Sequence, residues 1–192
     1  MTTDQEIRQA AVKIFREKGY HGTSMQDIAD AVGLLKGSLY HHISGKQDLL
    51  MAVYENGMAA IIKPMEEIAA SDLPPTAKLE KAITFHVCSI AEHLDEAAVF
   101  IHEERSLSPE LRHRFVADRD EFERLFRGMI QEGIDAGQFR AVDVPLTTNA
   151  ILGITNWLAQ WYDEQGRLSA EEIAAIFVDF VIRGLQVEAT TE

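Results

Sequence analysis

The chain has 192 residues, 46% of them hydrophobic and 26% charged, with a formal net charge of −13. That length suits one or two domains with a substantial core. No apolar run reaches the ~18 residues of a membrane span, the opening MTTDQEIRQA lacks the segments of a secretory signal, and the lone Cys88 excludes an intramolecular disulfide or a cysteine-built zinc site; a cytoplasmic protein is expected.

The acidity is unevenly spread. Residues 1–50 hold six basic side chains (Arg8, Lys13, Arg16, Lys18, Lys36, Lys46) and six acidic ones (Asp4, Glu6, Glu17, Asp27, Asp30, Asp48), so the other 142 residues carry the whole excess. A neutral N-terminal region joined to an acidic remainder reads as two functional regions, divided at 1–47 and 48–192.

In chain order every segment reads as helix, an all-α fold of about nine helices. Over 4–18, Ile7, Ala10, Ala11, Ile14 and Phe15 form one apolar stripe, stopped by Gly19 and Gly22. Thr23 and Ser24 offer capping oxygens for a helix from Met25 to Val32, with Asp27 three residues after Ser24. Gly33 ends it. A short helix runs over 36–42, and a longer one from Lys46 toward Pro64. Beyond Leu73-Pro74-Pro75, helices are expected over 76–94 and 95–107. Ser108 followed by Pro109 starts another, which reaches Ala136. Asp143-Val144-Pro145 opens the next, ending near Gly166. Ser169 caps the last, with Glu171 and Glu172 in its first turn. The tail from Val187 is expected to be disordered.

Residues 24–43 have the steric logic of a helix-turn-helix. Ile28 and Ala29 face inward, and Ala29 is small enough for two helices to cross closely. Gly33 supplies the left-handed turn. Leu34 anchors the turn, and Leu39 and Ile43, four apart, hold the second helix down. Lys36, Gly37, Ser38, Tyr40, His41 and His42 are left on its other faces. A short, polar, well-anchored helix is what a major groove accepts.

The segment resembles the DNA-binding domain of the TetR family of repressors. The matching residues are Thr23, Ile28-Ala29, Val32-Gly33, Gly37-Ser38-Leu39-Tyr40, His41-His42-Ile43 and Lys46. Two positions depart: Leu35 stands where the family has a capping serine, and Ile43 where it has phenylalanine. The resemblance implies that Lys36 reaches guanine or a phosphate, and that Gly37 lets backbone approach DNA. Ser38 and Tyr40 would meet phosphates, with Tyr40 also on a thymine methyl, and His41 and His42 would donate to phosphates or bases. Lys46, at a helix N-terminus, would hold a phosphate, and Gln26 would read adenine. Thr23 and Ser24 complete the DNA-facing set. It also implies no cofactor, no catalytic residue and a homodimer on a palindromic DNA operator, with the effector-binding and dimerisation functions in 48–192.

The last two helices suit pairing. Residues 143–165 carry a wide apolar face, and 170–186 are apolar nearly all round. A terminal helix apolar on two faces must bury both. Ile154, Trp161, Ile176, Phe177 and Phe180 are the candidate dimer contacts. The middle helices would enclose a small-molecule effector, and Phe85, His86, Ser89, His93, Phe100, Phe122, Met129 and Trp157 mix apolar bulk with isolated polar groups, as a ligand cavity does and as a plain helical core does. His86 and His93 are seven apart, near His102, Glu103 and Glu104. Metal ligands on one helix are usually three or four apart, so no metal site is expected, and no nucleophile accompanies the two glutamates.

The C-terminal half also resembles the family's regulators of lipid, steroid and aromatic-acid breakdown, through Ser108-Pro-Glu-Leu-Arg112, Arg119-Asp-Glu-Phe122 and Ile151-Leu-Gly with Asn156-Trp-Leu and Trp161-Tyr162. That implies an acyl-CoA thioester as effector, with Arg112, Arg119 and Arg127, and with them Arg114 and Arg124, as candidates for the CoA phosphates. The same arginines also suit surface pairs with glutamates. A repressor released by that effector is the leading expectation. A regulator of drug efflux or another gene answering a hydrophobic non-CoA ligand, and an all-helical interaction module that does not bind DNA, are the alternatives.

Overall fold

The computed structural model describes residues 4–187, the side chains of Asn56, His102, Glu104 and Glu110 excepted. The tail expected to be disordered lies outside them, apart from Val187. The helices are α1 (Asp4–Lys18), α2 (Met25–Ala31), α3 (Lys36–Leu39), α4 (Lys46–Ala69), α5 (Pro75–Glu92), α6 (Leu94–Glu103), α7 (Pro109–Asp135), α8 (Val144–Asn156), α9 (Leu158–Trp161) and α10 (Ala170–Leu185), with a 3-10 turn at Glu104–Ser106. The nine expected helices are all present; the eighth is divided at Trp157 into α8 and α9. No strand occurs among the described residues, only an isolated bridge between Phe139 and Gln186. None of these helices is long and apolar enough to cross a membrane.

Two differences from the sequence reading have local causes. α4 continues past Pro64 to Ala69. A proline inside a helix removes one donor and crowds the preceding turn, but Met65 and Ile68 beyond it are buried, and their burial holds the helix. The break at Trp157 follows Thr155, whose hydroxyl donates back to the carbonyls of Ile151 (3.0 Å) and Leu152 (3.3 Å). Such back-bonding competes with the helix ladder and bends it.

The chain divides into two compact units, Met1–Ala59 with Leu94–Ala117, and Ala60–His93 with Asp118–Glu192. In the first, Ile7, Ala11 and Phe15 of α1 pack with Ile28 and Ala29 of α2, Leu39 of α3, and Leu49, Leu50 and Val53 of α4. Val32, Leu34 and Ile43 close the edge of this core. α6 packs on α1. Tyr54, Phe100 and Phe115 form an aromatic cluster with ring centroids 5.5 and 4.8 Å apart, and Gly57 leaves room for the Phe100 ring.

In the second unit α5 packs along α10, and also against α8 and α9. Leu79, Ala82, Ile83, Val87 and Ile90 of α5 are buried with Ile173, Ala174, Val181, Ile182 and Leu185 of α10, and with Phe122, Leu125, Phe126, Met129 and Ile130 of α7. Lys78 is buried and places its ammonium 2.9 Å from both oxygens of Glu132. The α7–α8 connection is locked at three points. Gln138 Oε1 accepts from the N–H and hydroxyl of Thr76 at the start of α5. The Phe139 ring fills the space that a Cβ on Gly133 would need. Arg140 donates to the Leu185 and Gly184 carbonyls at the end of α10, both at 2.8 Å.

Candidate nucleic-acid interface and effector region

The helix-turn-helix is assembled from its caps. Ser24 and Asp27 form a reciprocal capping box at the start of α2: Asp27 N–H donates to Ser24 Oγ (3.1 Å), and Ser24 N–H donates to Asp27 Oδ2 (2.8 Å). Lys18 of α1 also donates to Asp27, and these two partners, Lys18 first, hold the Asp27 carboxyl far below the usual carboxylate range. Gly33 takes φ +68° between the helices. α3 then begins at Lys36, after Leu35, which supplies no capping side-chain bond and is 80% exposed. α3 is a single turn that ends at Leu39, short of the 36–42 expected. It is held by Leu39, which is fully buried; the chain continues helically only through the bonds from His41, His42 and Ile43 back to Ser38 and Leu39.

Lys36, Gly37, Tyr40, His41 and His42 lie exposed around this turn, and Ser38 is half-buried. Several of the predicted contact residues are engaged within the protein. Gln26 donates to Asp30 (2.7 Å), and His42 Nδ1 lies 2.8 Å from Asp4 Oδ1. Thr23 is a correction to the DNA-facing set. Its side chain is buried, 3% exposed, and its hydroxyl donates to the Gly19 carbonyl at 2.8 Å, closing the turn from within. Lys46 is also turned inward. Its ammonium donates to the carbonyls of Tyr20 (2.6 Å) and Thr23 (2.7 Å) and lies 4.2 Å from the centre of the Tyr20 ring.

The predicted effector residues divide between the two units. Phe100 belongs to the aromatic cluster of the first; Phe85, His86, Ser89, His93, Phe122, Met129 and Trp157 belong to the second. There His86 is buried with its ring centroid 4.9 Å from that of Phe122 and 6.2 Å from that of Phe126. Its Nε2 donates to Asn156 Oδ1 at 3.0 Å, joining α5 to the end of α8. Burial holds the imidazole neutral, with its pKa pushed down to about 4 against the partial support of Asn156. Met129 is buried nearby on α7, and Phe85 and Ser89 are half-buried. His93 is exposed at the end of α5, and Trp157 is 64% exposed at the end of α8, so neither joins the buried cluster around His86. His102 and Glu104 fall among the side chains outside the description.

Arg114, Arg119, Arg124 and Arg127, among the arginines expected to meet phosphate, are paired with carboxylates. Glu123 receives Arg127 (2.6 Å) and Arg119 (3.7 Å), Glu121 receives Arg124, and Glu55 receives Arg114. Arg112 lines a shallow groove with Leu107, Pro109, His113 and Val116.

α8 and α10 each keep an exposed apolar stripe. On α8 and its end it runs through Leu146, Ala150, Gly153 and Trp157; on α10, through Ile176 and Phe180 to Val187 beyond its end. Trp161 is exposed on α9, and Ile154 and Phe177 are half-buried beside the stripes. The spacing of four, three and four residues marks one helix face.

Residues 7–53 match the family model described as bacterial regulatory proteins, tetR family, and residues 72–185 match that of the tetracyclin repressor-like C-terminal domain. The chain belongs to the tetR family. As a member of it, it is a DNA-binding transcriptional regulator. It is 31% identical over 183 residues to the HTH-type transcriptional repressor KstR2 of Rhodococcus jostii strain RHA1, covering 94% of this chain and 89% of that protein. The solved structure of the TetR family regulator PfmR from Thermus thermophilus is 34% identical, with a TM-score of 0.85 over 94% of this chain and 99% of that one. AibR, solved in complex with isovaleryl coenzyme A and operator DNA, is 27% identical, with a TM-score of 0.84 over 92% and 96%.

Sequence reasoning missed how this tetR-family head is braced. Lys46 announced itself by spacing as a phosphate ligand, whereas its partners are backbone carbonyls more than twenty residues away. Nothing in the sequence marks a carbonyl as an acceptor for a remote ammonium. The pairing of His86 with Asn156 was hidden in the same way. The pairing of Arg119, Arg124 and Arg127 was legible, since their glutamates lie three or four residues off on α7; that of Arg114 with Glu55, on α4, was not.

Proposed function

We propose that the chain is a dimeric repressor which binds a palindromic operator in the cytoplasm and is released by an acyl-CoA thioester, acting by binding and not by catalysis. The observation that carries the DNA reading is the construction of α3. One buried side chain, Leu39, anchors a single turn, and Lys36, Gly37, Tyr40 and His41 are left outward around it. A head of this size reads few base pairs, so two heads about 34–36 Å apart on successive major grooves supply the rest. The exposed stripes on α8 and α10 supply the second copy, an isologous contact. In this division residues 1–47 read DNA and 48–192 bind effector and partner. The acyl-CoA reading is supported by AibR, a structural neighbour solved with isovaleryl coenzyme A. The effector releases DNA by binding the operator-free state more tightly than the operator-bound one.

The test begins with a palindrome selected by the protein from a random-sequence pool. Lys36→Ala combined with Tyr40→Ala should abolish retention of that DNA in a gel shift while leaving the dimer intact; undiminished retention refutes the assignment. Thermal shift with acyl-CoA thioesters, free acids and cationic hydrophobic compounds addresses the effector. A shift with thioesters alone supports the CoA reading, and no shift with any thioester retires it.

A further inference from the structure

α6 and the 3-10 turn after it grip the end of α1 at three points. Asp95, in the first turn of α6, pairs with Arg16. Glu103, the last residue of α6, accepts the backbone N–H of Tyr20 on Oε1 at 2.9 Å. Ser106 donates its hydroxyl to the other oxygen of Glu103 at 2.6 Å, and lies 3.2 Å from Nε2 of His21. Tyr20 is thus held at both backbone groups by opposite charges, its N–H by the Glu103 carboxylate and its carbonyl by the Lys46 ammonium. Gly19, at φ +72°, brings the turn close enough that a Cβ there would sit 3.7 Å from Glu103 Oε1.

The turn at residues 19–23 ends at Ser24, the cap of α2, and α2 carries α3. We propose that Glu103 is a positioning residue for DNA binding: by holding the Tyr20 N–H it fixes where the α1–α2 turn presents the helix pair, and so couples the end of α6 to operator affinity. The carboxylate acts through the turn. As a bare negative charge near DNA it would lower affinity, and removing it would raise affinity. The two roles therefore predict opposite signs. The requirement is for an acceptor at the reach of a glutamate side chain. Glutamine keeps that acceptor without the charge; aspartate keeps the charge one methylene short.

The experiment measures binding of Glu103→Ala, Glu103→Asp and Glu103→Gln to a DNA fragment selected by the wild-type protein from a random-sequence pool, by fluorescence anisotropy. Hydrogen exchange at the Tyr20 amide and circular dichroism are followed alongside. Loss of a charge-assisted hydrogen bond should weaken binding by about tenfold or more in Glu103→Ala and Glu103→Asp, with faster exchange at Tyr20 and unchanged helicity. Glu103→Gln should bind within a few-fold of wild type, with Tyr20 still protected. Should Glu103→Ala fail to fold, the Asp and Gln variants decide. The proposal is overturned if Glu103→Gln is as weak as Glu103→Asp, if loss of Tyr20 protection leaves affinity unchanged, or if affinity rises in all three.

Discussion

The neutral histidine at the centre of the second unit makes stability depend on pH in a calculable window. His86 has its pKa pushed down to about 4 by burial, from an ordinary 6.5. Between those values the unfolded chain takes up a proton that the folded chain refuses. The contribution of the neutral ring is therefore complete above pH 6.5 and is lost as pH falls toward 4. The slope approaches about 1.4 kcal/mol per pH unit, which accumulates to about 2.5 kcal/mol by pH 4.5. The perturbation is His86→Gln, which retains an N–H for Asn156 Oδ1 but carries no titrating proton. It also gives up ring packing against Phe122 and Phe126, a loss independent of pH. Urea unfolding at fixed protein concentration, followed by the fluorescence of Trp157 and Trp161 and by circular dichroism, yields stability curves for both proteins from pH 7.5 to 4.5. Titration of the many carboxylates is common to the two and cancels in the difference. The wild-type advantage should shrink by about 2–3 kcal/mol across that range. A difference that stays constant with pH would refute the burial argument.

Phe180→Asp should convert the dimer to monomer in sedimentation velocity. Phe180 is 69% exposed in the single chain, and a charge there would be desolvated twice in a two-fold contact, which should weaken association by at least about a hundredfold. An unchanged sedimentation coefficient would place the pairing face elsewhere. Gly133→Ala should cost about 1–3 kcal/mol by forcing the buried Phe139 ring out of its seat. A thermal midpoint equal to wild type would show that the ring has room to move.

The helix-turn-helix was legible because its constraints are local and steric. A small residue at Ala29, a left-handed glycine at Gly33 and apolar anchors at Leu34, Leu39 and Ile43 follow at fixed spacing, and each is where the structure needs it. Thr23 was misjudged because a threonine before a helix reads equally as an external cap or an internal one. Burial decides, and burial depends on partners elsewhere in the chain. Trp157 is a different case, because the signal was present. Its spacing from Leu146, Ala150 and Gly153 already placed it on the exposed face of α8, and its aromatic bulk was weighed instead as pocket lining. Phe100 was grouped with the effector residues by chain order. α6, however, returns to the first unit, and no local pattern encodes that return. Glu103 carried no signal either, since its partner is a backbone N–H 83 residues away.

The head's charge bears on how it can hold DNA. Half of its six arginines and lysines are committed within the protein, Arg16 to Asp95, Lys18 to Asp27 and Lys46 to two carbonyls, and His42 lies beside Asp4. Lys18 and Asp27 form an exposed pair, and exposed pairs contribute only about 0–1 kcal/mol each. Such a cation can leave its carboxylate for a phosphate at little cost, and it gains correspondingly little net charge attraction, because the abandoned carboxylate stays beside it. Asp27 stays ionised throughout, given its depressed pKa and its cap on α2. Non-specific attraction is therefore weak by construction. In the mode of binding proposed above, affinity comes from hydrogen bonds placed on the exposed turn of α3, and those are only as good as the bracing behind them. That is why the interior pairs at Tyr20 matter more to DNA binding than their burial suggests. A head without surplus charge depends on position, and position here is held by Lys46 on one side of the turn and Glu103 on the other.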